Sequence, residues 1–333
     1  MSALSRLRAG GVIPAHPLVL DEQRNPDWVA QRALTEYYLD AGAIGLAVGV
    51  HSTQFEVRHQ EGLLRQILSE AAAVADERAE RPILVAGAAG TLPEALADAA
   101  TARDCGYDFV LLAPYGAGDV SEQELVERTR AIGEILPVIS FYLQPDVGGR
   151  LLSEDYWREI ADLDCVVGVK AAPFSRYRTL EMLRGVATSS RATQIALYTG
   201  NDDSIVADLL ADFHLPGRDG AMTHLRFVGG LLGQWAVWTR GAVRMMSLVH
   251  DARAGDHAAQ IRLLAMASDL TEANRVIFDA ANGFAGCIPG IHEVLRLQGL
   301  MANTHCLNPR ETLSSGQREA IAQVWDLYPA LRD

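Results

Sequence analysis

The chain has 333 residues, 49% of them hydrophobic, and a formal net charge of −13. That length and apolar content support one large core or two ordinary ones. The acidic balance, with no basic stripe interleaved with aromatics, excludes a nucleic-acid partner, and no apolar run reaches the length of a membrane-spanning helix.

The first basic residues, Arg6 and Arg8, precede Gly10, Gly11, Pro14 and Pro17, which break any signal-peptide core. Cys105, Cys165, Cys287 and Cys306 show no CxxC spacing, which fits reduced thiols and a cytoplasmic protein. From residue 11 onward, short β-branched runs alternate with longer amphipathic ones, the pattern of βα units on a parallel sheet. Eight strands are expected: 11–14, 44–50, 82–87, 109–114, 137–143, 165–170, 194–199 and 220–224. The helices between them fall at 27–41, 61–79, 92–104, 121–135, 153–162, 177–187 and 203–212. Leu92-Pro93-Glu94 reads as a helix start, and Ser121 through Glu124 as a capping box. Eight such units predict an α/β fold, a (β/α)8 barrel over residues 1–228 that carries its chemistry at the C-terminal strand ends. From Gly229 to Asp333 the period is helical, with runs such as 231–246 and 260–278, which predicts an appended helical region packed on the barrel.

Among the 29 basic residues there is one lysine, Lys170. Arginine replaces lysine on a solvated surface, but its guanidinium cannot act as a neutral amine. Lys170 ends the apolar run Cys165-Val166-Val167-Gly168-Val169, where partial desolvation lowers an amine's pKa toward its nucleophilic form. Other strand ends supply polar groups. The second gives His51-Ser52-Thr53-Gln54, the fourth Pro114-Tyr115-Gly116, the fifth Tyr142-Leu143-Gln144-Pro145 and the seventh Gly200-Asn201-Asp202-Asp203. A tyrosine on the strand beside the lysine could relay protons, and a hydroxyl-bearing turn could hold a carboxylate. Each of these residues also has an ordinary structural use as a turn, cap or rim residue.

Together these residues resemble the dihydrodipicolinate synthase and N-acetylneuraminate lyase superfamily of class I aldolase-type barrels. Gly168-Val169-Lys170 is similar to the motif of its imine-forming lysine. Tyr142 with Pro145, 28 residues before Lys170, is similar to the motif of its proton-relay tyrosine. Ser52 and Thr53 stand where that family has paired threonines for the pyruvate carboxylate, and Gly200 with Asp202 is similar to its Gly-Asp-Asp turn. The resemblance implies a Schiff base between Lys170 and pyruvate or another 2-oxo acid, Tyr142 as relay, no cofactor, no metal and a homotetramer. The departures point to a divergent member rather than the synthase proper. The carboxylate turn reads His51-Ser52-Thr53-Gln54-Phe55, with bulky groups at its flanking glycine positions, Gly116 replaces a second tyrosine, and the arginine expected just after the tyrosine motif is absent, with Arg150 a few residues on. His51 is a candidate substrate contact, and Tyr115 and Arg150 are further candidates.

Aldol cleavage, aldol addition and dehydration share one enamine, so a carbon–carbon or carbon–oxygen lyase is expected without a choice among them. Two rival readings stand beside it: a metal-dependent lyase using His51, His224 and Asp202, and a barrel that binds a 2-oxo acid without turnover. A phosphate site at Gly229-Gly230 after the eighth strand is a further possibility.

Overall fold

The computed structural model describes all residues, 1–333. A short helix α1 (Ala3–Ala9) leads into the alternation β1 (Val12–Pro14), α2 (Trp28–Asp40), β2 (Gly45–Val48), α3 (Leu63–Asp76), β3 (Ile83–Ala88), α4 (Leu92–Asp104), β4 (Phe109–Leu112), α5 (Glu122–Gly133), β5 (Val138–Leu143), α6 (Glu154–Asp162), β6 (Val166–Ala172), α7 (Arg176–Ala187), β7 (Ala196–Thr199) and α8 (Ile205–Leu210). An antiparallel hairpin, β8 (Phe213–Pro216) and β9 (Met222–Leu225), precedes β10 (Phe227–Leu232). Four long helices follow: α9 (Thr239–Arg253), α10 (His257–Ile277), α11 (Cys287–Leu297) and α12 (Gln317–Leu327). No helix is long and apolar enough to cross a membrane.

Eight parallel strands run in the order β1-β10-β7-β6-β5-β4-β3-β2, and a parallel bridge between Ala15 and Ala47 brings the first and last together. This is the expected barrel. Two apolar layers hold it. Alternate strand residues such as Ile139, Phe141 and Leu143 fill the interior. The residues between them, such as Val138 and Tyr142, pack outward against the helices, in a cluster of 78 buried residues that continues into α9 to α12. The helix starts follow from local chemistry: Ser121 accepts from the Glu124 amide while Glu124 accepts from the Ser121 amide, and Glu94, just after Pro93, accepts from both the Thr91 amide and the Thr91 hydroxyl.

The eighth strand lies elsewhere than the sequence pattern suggests. Residues 220–224 belong to the turn and second strand of the β8–β9 hairpin, outside the barrel, with Met222 and His224 exposed. The barrel strand is the next apolar run, β10, which pairs with β7 and β1. A continuous buried run carries no period that separates strand from helix, and Phe227–Leu232 merges in sequence with the apolar stretch that follows. The boundary at 228 therefore falls inside a strand. Gly229 and Gly230 are packing residues within it: a Cβ on Gly229 would stand 2.2 Å from the Gly11 carbonyl oxygen, and one on Gly230 would stand 2.6 Å from the Trp235 ring. That close packing removes the basis for a phosphate loop there.

Candidate active site

Lys170 sits near the C-terminal end of β6, opposite Phe141 of β5 and Tyr198 of β7 in the strand register. On β6 the outward side chains are Val169 and Ala171, so alternation turns Lys170 inward. It is 7% exposed and lines a cavity of about 60 Å3 at the barrel mouth, together with His51, Ser52, Gln144, Gly200 and Asp202. Gly200 is required there, since a Cβ at that position would stand 2.6 Å from the lysine Cε. The Nζ atom lies 4.1 Å from the centroid of the Phe141 ring, a contact that favours the ammonium. Burial works against it and pulls the Lys170 pKa down, with the Asp202 carboxylate partly offsetting.

Asp202 follows β7, and its main chain is fixed. Its amide donates to the Gly200 carbonyl and its own carbonyl accepts from Asn274 Nδ2 of α10 at 2.7 Å. Its side chain is not so committed: Oδ1 is buried and without a hydrogen-bond partner. Burial raises the Asp202 pKa, with Lys170 and then the Gln234 backbone amide opposing. His51 opens a single turn of 3-10 helix, His51–Thr53. Burial, with Lys170 nearby, lowers its pKa to about 4, so its imidazole is neutral near pH 7.

The turn after β2 differs from the expectation in detail. Ser52 lines the cavity but donates its hydroxyl to the Ala15 carbonyl at 2.7 Å. Thr53 is wholly buried outside the cavity. Its Oγ1 donates to the His16 carbonyl and accepts from the Gly49 and Val50 amides. Thr53 is therefore a staple of the turn, with no hydroxyl hydrogen left for a substrate. Gln54 holds a positive φ of 73°, a conformation that costs a non-glycine residue of order 1 kcal/mol or more. Its Oε1 accepts from the Leu307 amide, tying the turn to the C-terminal segment.

Tyr142 is not brought to the lysine. It points from β5 into the helix layer, with its ring centroid 5.0 Å from that of Trp157 on α6. Its hydroxyl lies near the Leu152 backbone without a well-formed hydrogen bond. The inward residue at this level is Phe141, which has no proton to move. Tyr115 stacks on Phe55 at 4.1 Å outside the cavity, and Arg150 donates to the Val120 carbonyl. Neither lines the cavity. The proposed metal set does not converge either: His224 is on the exposed hairpin, its ring 4.4 Å from that of His214, while His51 and Asp202 are at the barrel mouth. No three His, Cys, Asp or Glu side chains gather to hold a metal ion.

Several lining residues escaped the sequence reading. Gln144, just after β5, has its Nε2 buried and unpaired, a free donor in the same cavity as the lysine. Phe174, Phe278, Phe284 and Ile291 close the other side. Phe174 and Phe284 both adopt positive φ, 48° and 66°, and face each other with centroids 5.5 Å apart. The helical region thus supplies part of the site instead of merely packing on the barrel. Strand alternation alone could have found Phe141 and placed Tyr142 on the far face; nothing local marks Phe278 or Phe284, which arrive from distant sequence.

The chain matches the Dihydrodipicolinate synthetase family over residues 8–326. Among curated proteins none matches it. Its fold is similar to that of dihydrodipicolinate synthase from Oceanobacillus iheyensis, with a TM-score of 0.76, 19% identity, and 98% of this chain and 99% of that one covered. It is similar also to YagE, a prophage protein of the dihydrodipicolinic acid synthase family from E. coli K12 in complex with pyruvate (TM-score 0.75, 20% identity, 97% and 98% covered). A third similar structure is CdNal from Clostridium difficile in complex with mannosamine (TM-score 0.73, 17% identity, 96% and 99% covered).

Proposed function

The chain belongs to the Dihydrodipicolinate synthetase family, whose members are class I aldolase-type lyases, and from that premise we propose that Lys170 forms a Schiff base with pyruvate or another 2-oxo acid. The observation that carries this reading is the chain's sole lysine, buried in the cavity at the barrel mouth. Burial disfavours its charge, so a larger share of neutral amine is present to attack the ketone carbon. The pyruvate complex of the similar prophage protein supports a keto acid of that kind as substrate.

Once formed, the protonated imine is an electron sink for the neighbouring carbon, which can lose a proton, part from a carbon substituent or expel a β-hydroxyl. Gln144 Nε2, buried and unpaired, is suited to donate to a substrate oxygen in the cavity it shares with Ser52. No arginine lines the cavity, so a second carboxylate on the acceptor would find no fork-shaped partner. The far wall is aromatic and aliphatic, with Phe174, Phe284 and Ile291. This supports an acceptor other than that of the synthase proper.

Borohydride reduction with a panel of 2-oxo acids, followed by peptide mass mapping, tests the reading. The expected result is a reduced pyruvate adduct on the peptide containing Lys170, and none in Lys170→Arg. A wild-type protein left unmodified across the panel would remove the Schiff base.

A further inference from the structure

The motif that resembles a proton relay places its phenol on the wrong face of the sheet, yet imine formation cannot proceed without a proton donor. The carbinolamine formed at the amine must lose its hydroxyl as water, and hydroxide is too poor a leaving group to depart unassisted. No tyrosine lines the cavity. Tyr198, next to Lys170 in register, donates its hydroxyl to the Leu7 carbonyl, and Tyr115 and Tyr142 are held elsewhere by Phe55 and Trp157.

We propose that Asp202 is the general acid and base of this site, doing at Lys170 the work that a phenol would otherwise do; this rests on the reading of Lys170 as the imine-forming amine. Asp202 lines the same cavity as Lys170, its main chain is anchored at both the amide and the carbonyl, and its Oδ1 is buried with no partner. An unpaired carboxyl oxygen inside a native fold is costly, and a substrate hydroxyl would satisfy it.

The lone pair of neutral Lys170 attacks the ketone carbon, the carbonyl π pair moves to oxygen, and a proton passes from nitrogen to that oxygen to leave a neutral carbinolamine. Protonated Asp202 then gives its proton to the departing hydroxyl. The C–O bond breaks, water leaves, and the products are a cationic imine and the Asp202 carboxylate. That carboxylate next removes a proton from the carbon beside the imine, giving the enamine and restoring the acid.

The titratable groups around Asp202 leave it alone in this role. Lys170 faces it from β6 as the nucleophile. His51 is held neutral with a pKa near 4, too weak a base, and as a neutral imidazole it is no practical acid. Burial pushes the Cys287 thiol up, and Asp203, also raised by burial, is bound up at the start of α8 with Ser204. Ser52 spends its hydroxyl on the Ala15 carbonyl. Burial draws the two pKa values together, Lys170 down to about 8 and Asp202 up to about 7, so a share of sites holds neutral amine and neutral acid at once near pH 7.

Imine formation with pyruvate, measured as the rate of cyanoborohydride trapping on Lys170, decides between catalysis and simple charge pairing. Asp202→Asn is expected to slow trapping on the order of 10²-fold or more, with pyruvate affinity little changed, and Asp202→Glu to keep part of the rate. If Asp202 were only a charge partner, Asp202→Asn would lower the amine's pKa further and trapping would be as fast or faster, which overturns the proposal. The wild-type pH profile is a second test that needs no variant. It is expected to be bell-shaped, falling on the alkaline side as Asp202 ionises, and a rate that climbs steadily until the amine is fully neutral overturns it. Absence of any wild-type adduct would instead defeat the Schiff-base reading itself.

Discussion

A tyrosine in the right motif and in the wrong place separates what a residue's identity promises from what its backbone delivers. Tyr142 has the spacing from Lys170 and the following Pro145 that the resemblance needs, but β5 turns Phe141 and Leu143 inward and Tyr142 outward. A one-residue change in register exchanges the faces of a strand, and β5 meets β6 with a register shift between Val138 and Ile139. Tyr142→Phe is therefore expected to trap pyruvate on Lys170 at close to the wild-type rate, within about twofold, and to change stability by no more than about 1 kcal/mol. Trapping kinetics and urea unfolding check both, and a large loss of rate would restore the phenol to the mechanism. Lys170 itself was legible from composition. Arginine can serve wherever only a charge is wanted, so one surviving amine at the end of an apolar strand marks its own site. Asp202 was legible as a site residue but not as a proton donor, because its buried, unpaired oxygen depends on elements far away in sequence.

At the level of elements, one guanidinium joins the strand ends that lead into the turn His51–Thr53. Arg58 pairs with Asp98 of α4 at 2.6 Å and donates to the Gly49 and Gly87 carbonyls, each at 2.9 Å, so it joins the ends of β2 and β3 beneath the turn 51–53. Removing one partner of such a largely buried pair leaves the other charge uncompensated. Arg58→Ala is expected to destabilise the fold by about 3–5 kcal/mol and to weaken pyruvate binding, and Arg58→Ala with Asp98→Ala to recover part of the stability. Urea unfolding of the single and double variants checks this; a loss below about 1 kcal/mol for the single variant would contradict it. The elements also mark where pattern reading stops. Seven of the eight barrel strands were placed near their true positions because each is bounded by a helix with its own caps and period. The eighth was misplaced because the hairpin β8–β9 intervenes and β10 runs unbroken into the apolar stretch beyond it.

On the scale of the whole molecule, the helical region and the barrel form one continuous core and share one site. Asn274 of α10 fixes the Asp202 carbonyl, Gln54 reaches the Leu307 amide, and Phe278 and Phe284 roof the cavity. Sequence patterns are local, so a roof assembled from residues more than a hundred positions away from Lys170 could not be read from them. The same deep burial leaves a pH signature. His292 of α11 is almost wholly buried, and burial lowers its pKa from 6.5 to about 4. An imidazole depressed in the folded state lets the unfolded chain bind the extra proton first, so its contribution is intact above pH 6.5 and is lost as the pH falls toward 4. The loss is on the order of 3 kcal/mol. Asp202 and Glu311, which burial raises, act in the opposite sense over this range, so the imidazole is isolated by comparison with His292→Leu. The variant is expected to gain stability relative to wild type as the pH is lowered from 7 to 4.5, measured by urea midpoints; a difference that does not change with pH would contradict it.

Because the chain has one lysine, labelling with [ε-15N]lysine gives a single side-chain nitrogen signal that reports on the site directly. We expect that signal to titrate well below the ordinary lysine value of 10.5 and to be replaced by an imine resonance when pyruvate is added. A signal that titrates at 10.5 or above and stays unchanged at saturating pyruvate would contradict a buried, reactive amine at the mouth of this barrel.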